Sequence, residues 1–176
     1  MSTWGTRGLR GSFLEEQINY TIERLRESRL ALIQKIPTPI TPIAIDKESR
    51  HITLAYFDKK STVDYLGAVQ GIPVCFDAKE CAEDTFPLAN IHEHQVRFMR
   101  EMEEQDGVSF LLLYFSHRQI YYSLRLSELE GFLSRRTDGG RKSFCFDELT
   151  PGYFLREKKQ MIPFLEALQM DLEERG

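Results

Sequence analysis

Residues 108–115 read Val-Ser-Phe-Leu-Leu-Leu-Tyr-Phe, the longest continuous apolar run in the chain. Such a run cannot alternate a wet face with a dry one, so it predicts a central strand buried on both sides. A strand of that kind needs covering layers, and the sequence offers them. Residues 11–35 read as a first helix, with Ser12 as N-cap, Glu15 as its capping-box partner and Leu14, Ile18, Ile22 and Leu25 as the apolar stripe. Pro37 stops it. Residues 88–104 read as a second helix with Leu88, Ile91, Phe98 and Met102 on one face and Gly107 marking its end. A short helix over 126–136 and a C-terminal helix over 158–174 complete the helical set, and 119–124 pairs with the central strand. The order is α/β with a mixed sheet.

At 176 residues and 41% hydrophobic, the chain supports one good core, and a single domain is expected over 1–176. No apolar run reaches membrane-spanning length, and the first residues lack the apolar centre of a signal peptide. Cys75, Cys81 and Cys145 have no metal-ligand spacing and read as reduced thiols of a cytoplasmic protein. The net charge of -4 is unevenly spread: residues 1–60 carry 10 Lys+Arg against 7 Asp+Glu, and the remainder is acidic. Global charge therefore leaves a nucleic-acid partner open, and local clusters must decide.

The chemistry gathers between Ser61 and Glu80. Two strands joined at Gln70-Gly71 carry Asp64 on the first and Asp77-Ala-Lys79 on the second. Alternation puts Cys75, Asp77 and Lys79 on one face and Val74, Phe76 and Ala78 on the other. Two carboxylates and an ammonium converging on one point suit a hard divalent cation and an anionic substrate. Plainer readings exist for each residue. Asp64 is also a turn residue, and Asp77 with Lys79 is also an ordinary ion pair. Gln95 falls in the middle of the second helix's apolar stripe, where a buried amide needs a partner. Glu15 lies on or beside the inward stripe of the first helix, although its capping role is credible. Five such residues from four elements look like a site. His92 and His94, two apart on a helix, point in different directions and read as surface or capping residues. Glu80, on the face opposite Lys79, reads as a fold or salt-bridge residue.

These residues sit in longer strings: Arg10-Gly11, Glu15, Ile18-Asn19, Lys35-Ile-Pro-Thr-Pro39, Ala55-Tyr-Phe57, Lys60-Ser-Thr-Val-Asp64-Tyr, Phe76-Asp-Ala-Lys-Glu80, His94-Gln95, Gln105-Asp-Gly107 and Gly139-Gly-Arg-Lys-Ser143. Asp…(D/E)-x-Lys on adjacent strands is the PD-(D/E)xK nuclease pattern, and the strings in this order, over roughly 7–150, resemble the RecU family of Holliday-junction resolvases. The resemblance implies a restriction-endonuclease-like mixed sheet flanked by helices, with residues 37–60 inserted as a projecting two-stranded stalk. It implies a homodimeric, Mg²⁺-dependent endonuclease, with Mn²⁺ as a substitute ion, that cuts four-way DNA junctions in recombination and repair and has a recombinase as a further partner. Lys79, Gln95, Asp64 and Asp77 match its catalytic set. The metal-facing set is Asp64, Asp77, Thr62, Gln95 and Glu15. For DNA contact the candidates are Arg7, Arg10, Lys59, Lys60, Arg141 and Lys142, plus Tyr56 for stacking on bases, while core packing is the default for Phe57. Two alternatives stand beside this: a nuclease of the same fold acting on another DNA substrate, and a non-catalytic junction-binding recombinase modulator.

Overall fold

The computed structural model describes residues 12–57 and 62–175. Helix α1 spans Phe13–Glu27 and buries Leu14, Ile18, Thr21 and Leu25. Ser12 caps it, its hydroxyl accepting from the Glu15 N–H at 3.2 Å. The helix ends eight residues before the expected boundary. Arg29 takes a left-handed backbone (φ 59°) and the Leu30 N–H folds back to the Leu25 carbonyl at 2.9 Å. What reads as the last helical turns is strand β1, Ala31–Lys35, because a neighbouring strand supplies a full ladder of backbone partners. Tertiary pairing here outweighs helical spacing.

That neighbour is β4, Tyr65–Val69, which is joined to β5, Ile72–Cys81, through the turn at Gln70 and Gly71, where both residues have positive φ. β5 runs parallel to β7, Val108–Phe115, whose eight residues are all buried as the apolar run requires. β8, Ile120–Arg125, and the two-residue β10, Phe154–Leu155, finish a mixed sheet in the order β1-β4-β5-β7-β8-β10. Helix α2, Glu93–Glu103, makes the crossover from β5 to β7. It starts later than expected because His92 is extended (φ −89°, ψ 142°) and Leu88–Asn90 forms a separate 3-10 turn. Helix α3 covers Leu126–Thr137. Helix α4 covers only Phe164–Arg175, because Lys159 and Gln160 are left-handed and Lys158 bridges to Met161 in a tight turn. A small ladder of β6, Thr85–Pro87, and β9, Ser143–Cys145, has no counterpart in the sequence reading; Phe86 and Phe144 stack on each other across it, and Phe144 stacks on Phe132 of α3.

Beneath β5 Phe76 stacks on Tyr65 and Phe110, with ring centroids at 4.7 and 4.8 Å, and leans on Phe164 of α4. Close backbone approach on the other side of β4 admits only glycine at 67. A Cβ there would stand 2.0 Å from the Leu32 carbonyl oxygen in β1. Gly67→Ala should therefore push β1 off the sheet and cost more than about 3 kcal/mol, read as a lowered melting temperature. A wild-type melting curve would mean that β1 can shift at little cost.

β2, Ile40–Ile45, and β3, Ile52–Phe57, form an antiparallel pair that joins no other strand among the described residues. This is the expected arm, with the charged turn at its tip, where the Asp46 carboxylate accepts from the Glu48 N–H and the Ser49 hydroxyl. Seven of the eleven exposed large apolar side chains among the described residues lie on it. Phe57 is one of them, 77% exposed rather than packed in the core, because the arm has no second layer to cover it. Among the described residues, no helix is long and apolar enough to cross a membrane.

Candidate active site

The β4–β5 register pairs Tyr65 with Phe76, so one step earlier Asp64 falls across from Asp77. The Asp64 N–H donates to Asp77 Oδ1 at 3.2 Å, and the Ala78 N–H donates to Asp64 Oδ2 at 3.1 Å. The root of the arm takes part as well: the Ile36 N–H donates to the Asp64 carbonyl at 2.8 Å. Asp64 is thus fixed on both sides, by its own backbone and by the strand that carries Asp77.

Asp77 is fully buried. Its Oδ1 also accepts from Gln95 Nε2 at 2.8 Å, while Oδ2 lies 2.6 Å from Lys79 Nζ. That ammonium is close enough for an ion pair, yet Oδ2 has no hydrogen bond of good geometry. Burial, followed by the charge on Asp64, raises the Asp77 pKa well above the ordinary carboxylate range, with Lys79 pulling the other way. A buried carboxylate oxygen without an aligned donor is the kind of group a cation satisfies.

Gln95 is set by the entry to α2. Its Oε1 accepts from the His92 N–H at 3.2 Å, which turns the Nε2 end toward Asp77. Both ends of the amide are spent, so in this state Gln95 orients Asp77. His92 stands outside the helix as its N-cap, and its ring stacks on His94 at 5.5 Å. The expected divergence of the two histidines fails because helical spacing does not apply to a cap residue.

Glu15 reaches the same region from α1. Together with Asp64, Ala78 and Glu80 it lines a cleft of about 160 Å³, and its carboxylate is paired with Lys35. The sequence reading did not single out Lys35 or Glu80 for the site. Lys35 was counted as the end of a helix, and Glu80 was assigned to the fold; the alternation that separates Glu80 from Lys79 was itself the available signal, since it puts Glu80 with Ala78 facing the cleft. Thr62 is exposed two residues before Asp64. Tyr56 is exposed on the arm, and Arg141 and Lys142 are exposed in the loop before β9. Arg141 lies 3.7 Å from Glu148, and the Lys142 carbonyl accepts from the Leu88 N–H. Arg7, Arg10, Lys59 and Lys60 lie outside the described residues. The three cysteines are free, and burial pushes the Cys75 thiol up to about 12.

Among the described residues no three His, Cys, Asp or Glu side chains form a ready-made metal cluster. The fit to a hard cation rests instead on the donor chemistry of Asp64 and Asp77, whose Oδ2 has Lys79 as an ion-pair partner but no aligned hydrogen bond.

A mixed sheet with helices packed against it, bearing Asp on one strand and Asp-x-Lys on the next, defines a nuclease of the PD-(D/E)xK class. The family is narrower still. Residues 9–170 match the family model described as Recombination protein U, and the chain belongs to the RecU family. It is 40% identical to the Holliday junction resolvase RecU of Oceanobacillus iheyensis over 166 residues, covering 92% of this chain and 82% of that one. It is 37% identical to the protein of the same name from Pediococcus pentosaceus over 174 residues, covering 94% and 86%. For that of Lactiplantibacillus plantarum the figures are 35% over 173 residues, 95% and 84%. The family match also takes in most of the tail after Thr150, which the sequence motifs left unassigned.

Proposed function

We propose that this protein is a Mg²⁺-dependent endonuclease that resolves four-way DNA junctions, working as a homodimer. The observation that carries the reading is the contact chain Gln95–Asp77–Lys79 with Asp64 alongside, in a member of this family. Asp64 and Asp77 would hold the cation, and Glu15, Thr62 and Gln95 are the further residues assigned to its surroundings. When bound, the ion supplies Lewis-acid activation of water and charge neutralisation at the scissile phosphate. Lys79, held at Asp77, orients the attacking water, accepts or relays its proton, and offsets charge developing on the phosphate oxygens. Gln95 keeps Asp77 in register while this happens.

A four-way junction has approximate two-fold symmetry, so an isologous dimer presents two sites to two strands of like polarity. The arm supplies the element that distinguishes a branched substrate, with Tyr56 available for stacking. Arg7, Arg10, Lys59, Lys60, Arg141 and Lys142 supply phosphate contacts.

The test is a cleavage gel with four-way and linear duplex DNA, with and without Mg²⁺. Selective, Mg²⁺-dependent cutting of the junction is expected. Equal cutting of linear duplex would favour another DNA substrate, and junction binding without cutting would favour a non-catalytic role. Lys79→Ala should lower the single-turnover rate by about 10²–10³-fold, the range for loss of one transition-state contact, while divalent-ion binding stays near wild type. Loss of ion binding together with lowered stability would instead make the ion pair merely structural.

A further inference from the structure

The cleft beside Asp64 carries a charge that nothing in the described protein balances. Glu15 is cancelled by Lys35, and Asp77 by Lys79. Asp64 and Glu80 face the same cleft and neither has a cationic side chain within ion-pair distance among the described residues. At about 160 Å³ the cleft holds only a handful of waters, so the two carboxylates look onto one small body of solvent. This leaves a local charge of two negatives where a polyanionic substrate has to approach.

β5 alternation explains the placement. Ala78, whose N–H holds Asp64 Oδ2, and Glu80 point to the same side of the strand, about 6.5–7 Å apart. Glu80 therefore lines the same cleft as Asp64, two residues beyond the N–H that fixes it. It is too distant along the strand to share Asp64's hydrogen bonds and near enough to act on whatever cation Asp64 holds.

We propose that Glu80 is a cation-facing carboxylate of the cleft that Asp64 lines, acting through bound water on the divalent ion at Asp64. The inference rests on the metal-dependent reading above and adds a residue to it. Glu80 raises the affinity of the cleft for a doubly charged ion, and that ion in turn neutralises the carboxylate before DNA enters. Its exposure to solvent makes the effect electrostatic rather than a matter of direct ligation.

The full chain is titrated with Mn²⁺ in the absence of DNA, and free Mn²⁺ is followed by electron paramagnetic resonance. Glu80→Gln should weaken binding by up to about tenfold, the scale of one charge acting on a divalent ion across a layer of water. Glu80→Asp should recover most of that loss. Asp64→Asn should abolish saturable binding. At about 0.5 M salt the gap between wild type and Glu80→Gln should narrow, because a through-solvent effect is screened. Glu80→Gln binding Mn²⁺ within twofold of wild type, with wild type saturable, overturns the proposal and spares the metal reading. A wild-type protein with no saturable Mn²⁺ binding overturns both. Because Glu80 is exposed, its variants should melt with the wild type, which keeps the comparison free of folding effects.

Discussion

Asn in place of Asp77 should give a protein that holds four-way DNA without cutting it and that, in metal-free buffer at pH 8, outlasts the wild type on heating. The first effect follows from removing a cation ligand together with a negative charge near the DNA backbone. The second follows from burial. Desolvation, then the charge of Asp64, raises the Asp77 pKa to about 7, with Lys79 offsetting part of the rise. A carboxyl whose pKa is near 3.9 unfolded and higher when folded binds more protons in the folded state between those two values. Stability contributed by this group is therefore full below about pH 4, falls as pH climbs to about 7, and stays at the lower level above. Asn carries no such penalty. The variant should gain ~2–4 kcal/mol at pH 8 and nothing at pH 4, measured by thermal unfolding of both proteins at the two pH values. Wild-type turnover would remove Asp77 from the mechanism. A variant less stable at pH 8 would mean that the bond to Lys79 outweighs the cost of burial.

The arm carries the second large effect. Ile40 and Phe57 are partners across the ladder, so a short Gly-Ser link between them can replace everything beyond without straining the body. The shortened protein should keep its melting temperature within a few degrees, since the arm joins no other strand among the described residues. Its preference for four-way over linear DNA should fall by at least about tenfold, a loss of ~1.4 kcal/mol in differential binding. Band-shift titrations on both substrates measure this. Undiminished preference would move junction selection to the body, around Arg141 and Lys142.

The grouping of Asp77 and Lys79 in the candidate site was legible because strand alternation is a short-range rule. Asp77 and Lys79 share a face whatever the rest of the chain does, and an unbroken apolar run such as 108–115 has few ways to be buried. Gln95 was legible for the opposite reason, as a polar residue where the pattern called for an apolar one. The α1–β1 boundary was not. From Leu25 to Lys35 the spacing suits a helix, no Gly or Pro interrupts it, and the break depends on Arg29 adopting a left-handed backbone so that Ala31–Lys35 can pair with β4. That misreading also hid Lys35, whose position beside Glu15 exists only if residue 35 is in the sheet. The three-residue strands β6 and β9 and the two-residue β10 are too short to leave any periodicity, and partners far along the chain define them. The arm was legible as a projecting two-stranded insertion over 37–60, but the exposure of Phe57 was not, since sequence records that Phe57 is apolar and not what covers it.

The packing of Phe164 under Phe76 ties β5 to the far end of the chain. Strand β5 ends at residue 81, yet the ring that backs it belongs to α4, and the Ile162 N–H just before that helix bonds to Thr21 in the first helix. Without α4, Phe76 and Phe110 lose the ring that leans on both of them. The backing of β5 therefore closes only when α1 and α4, far apart along the chain, are both in place.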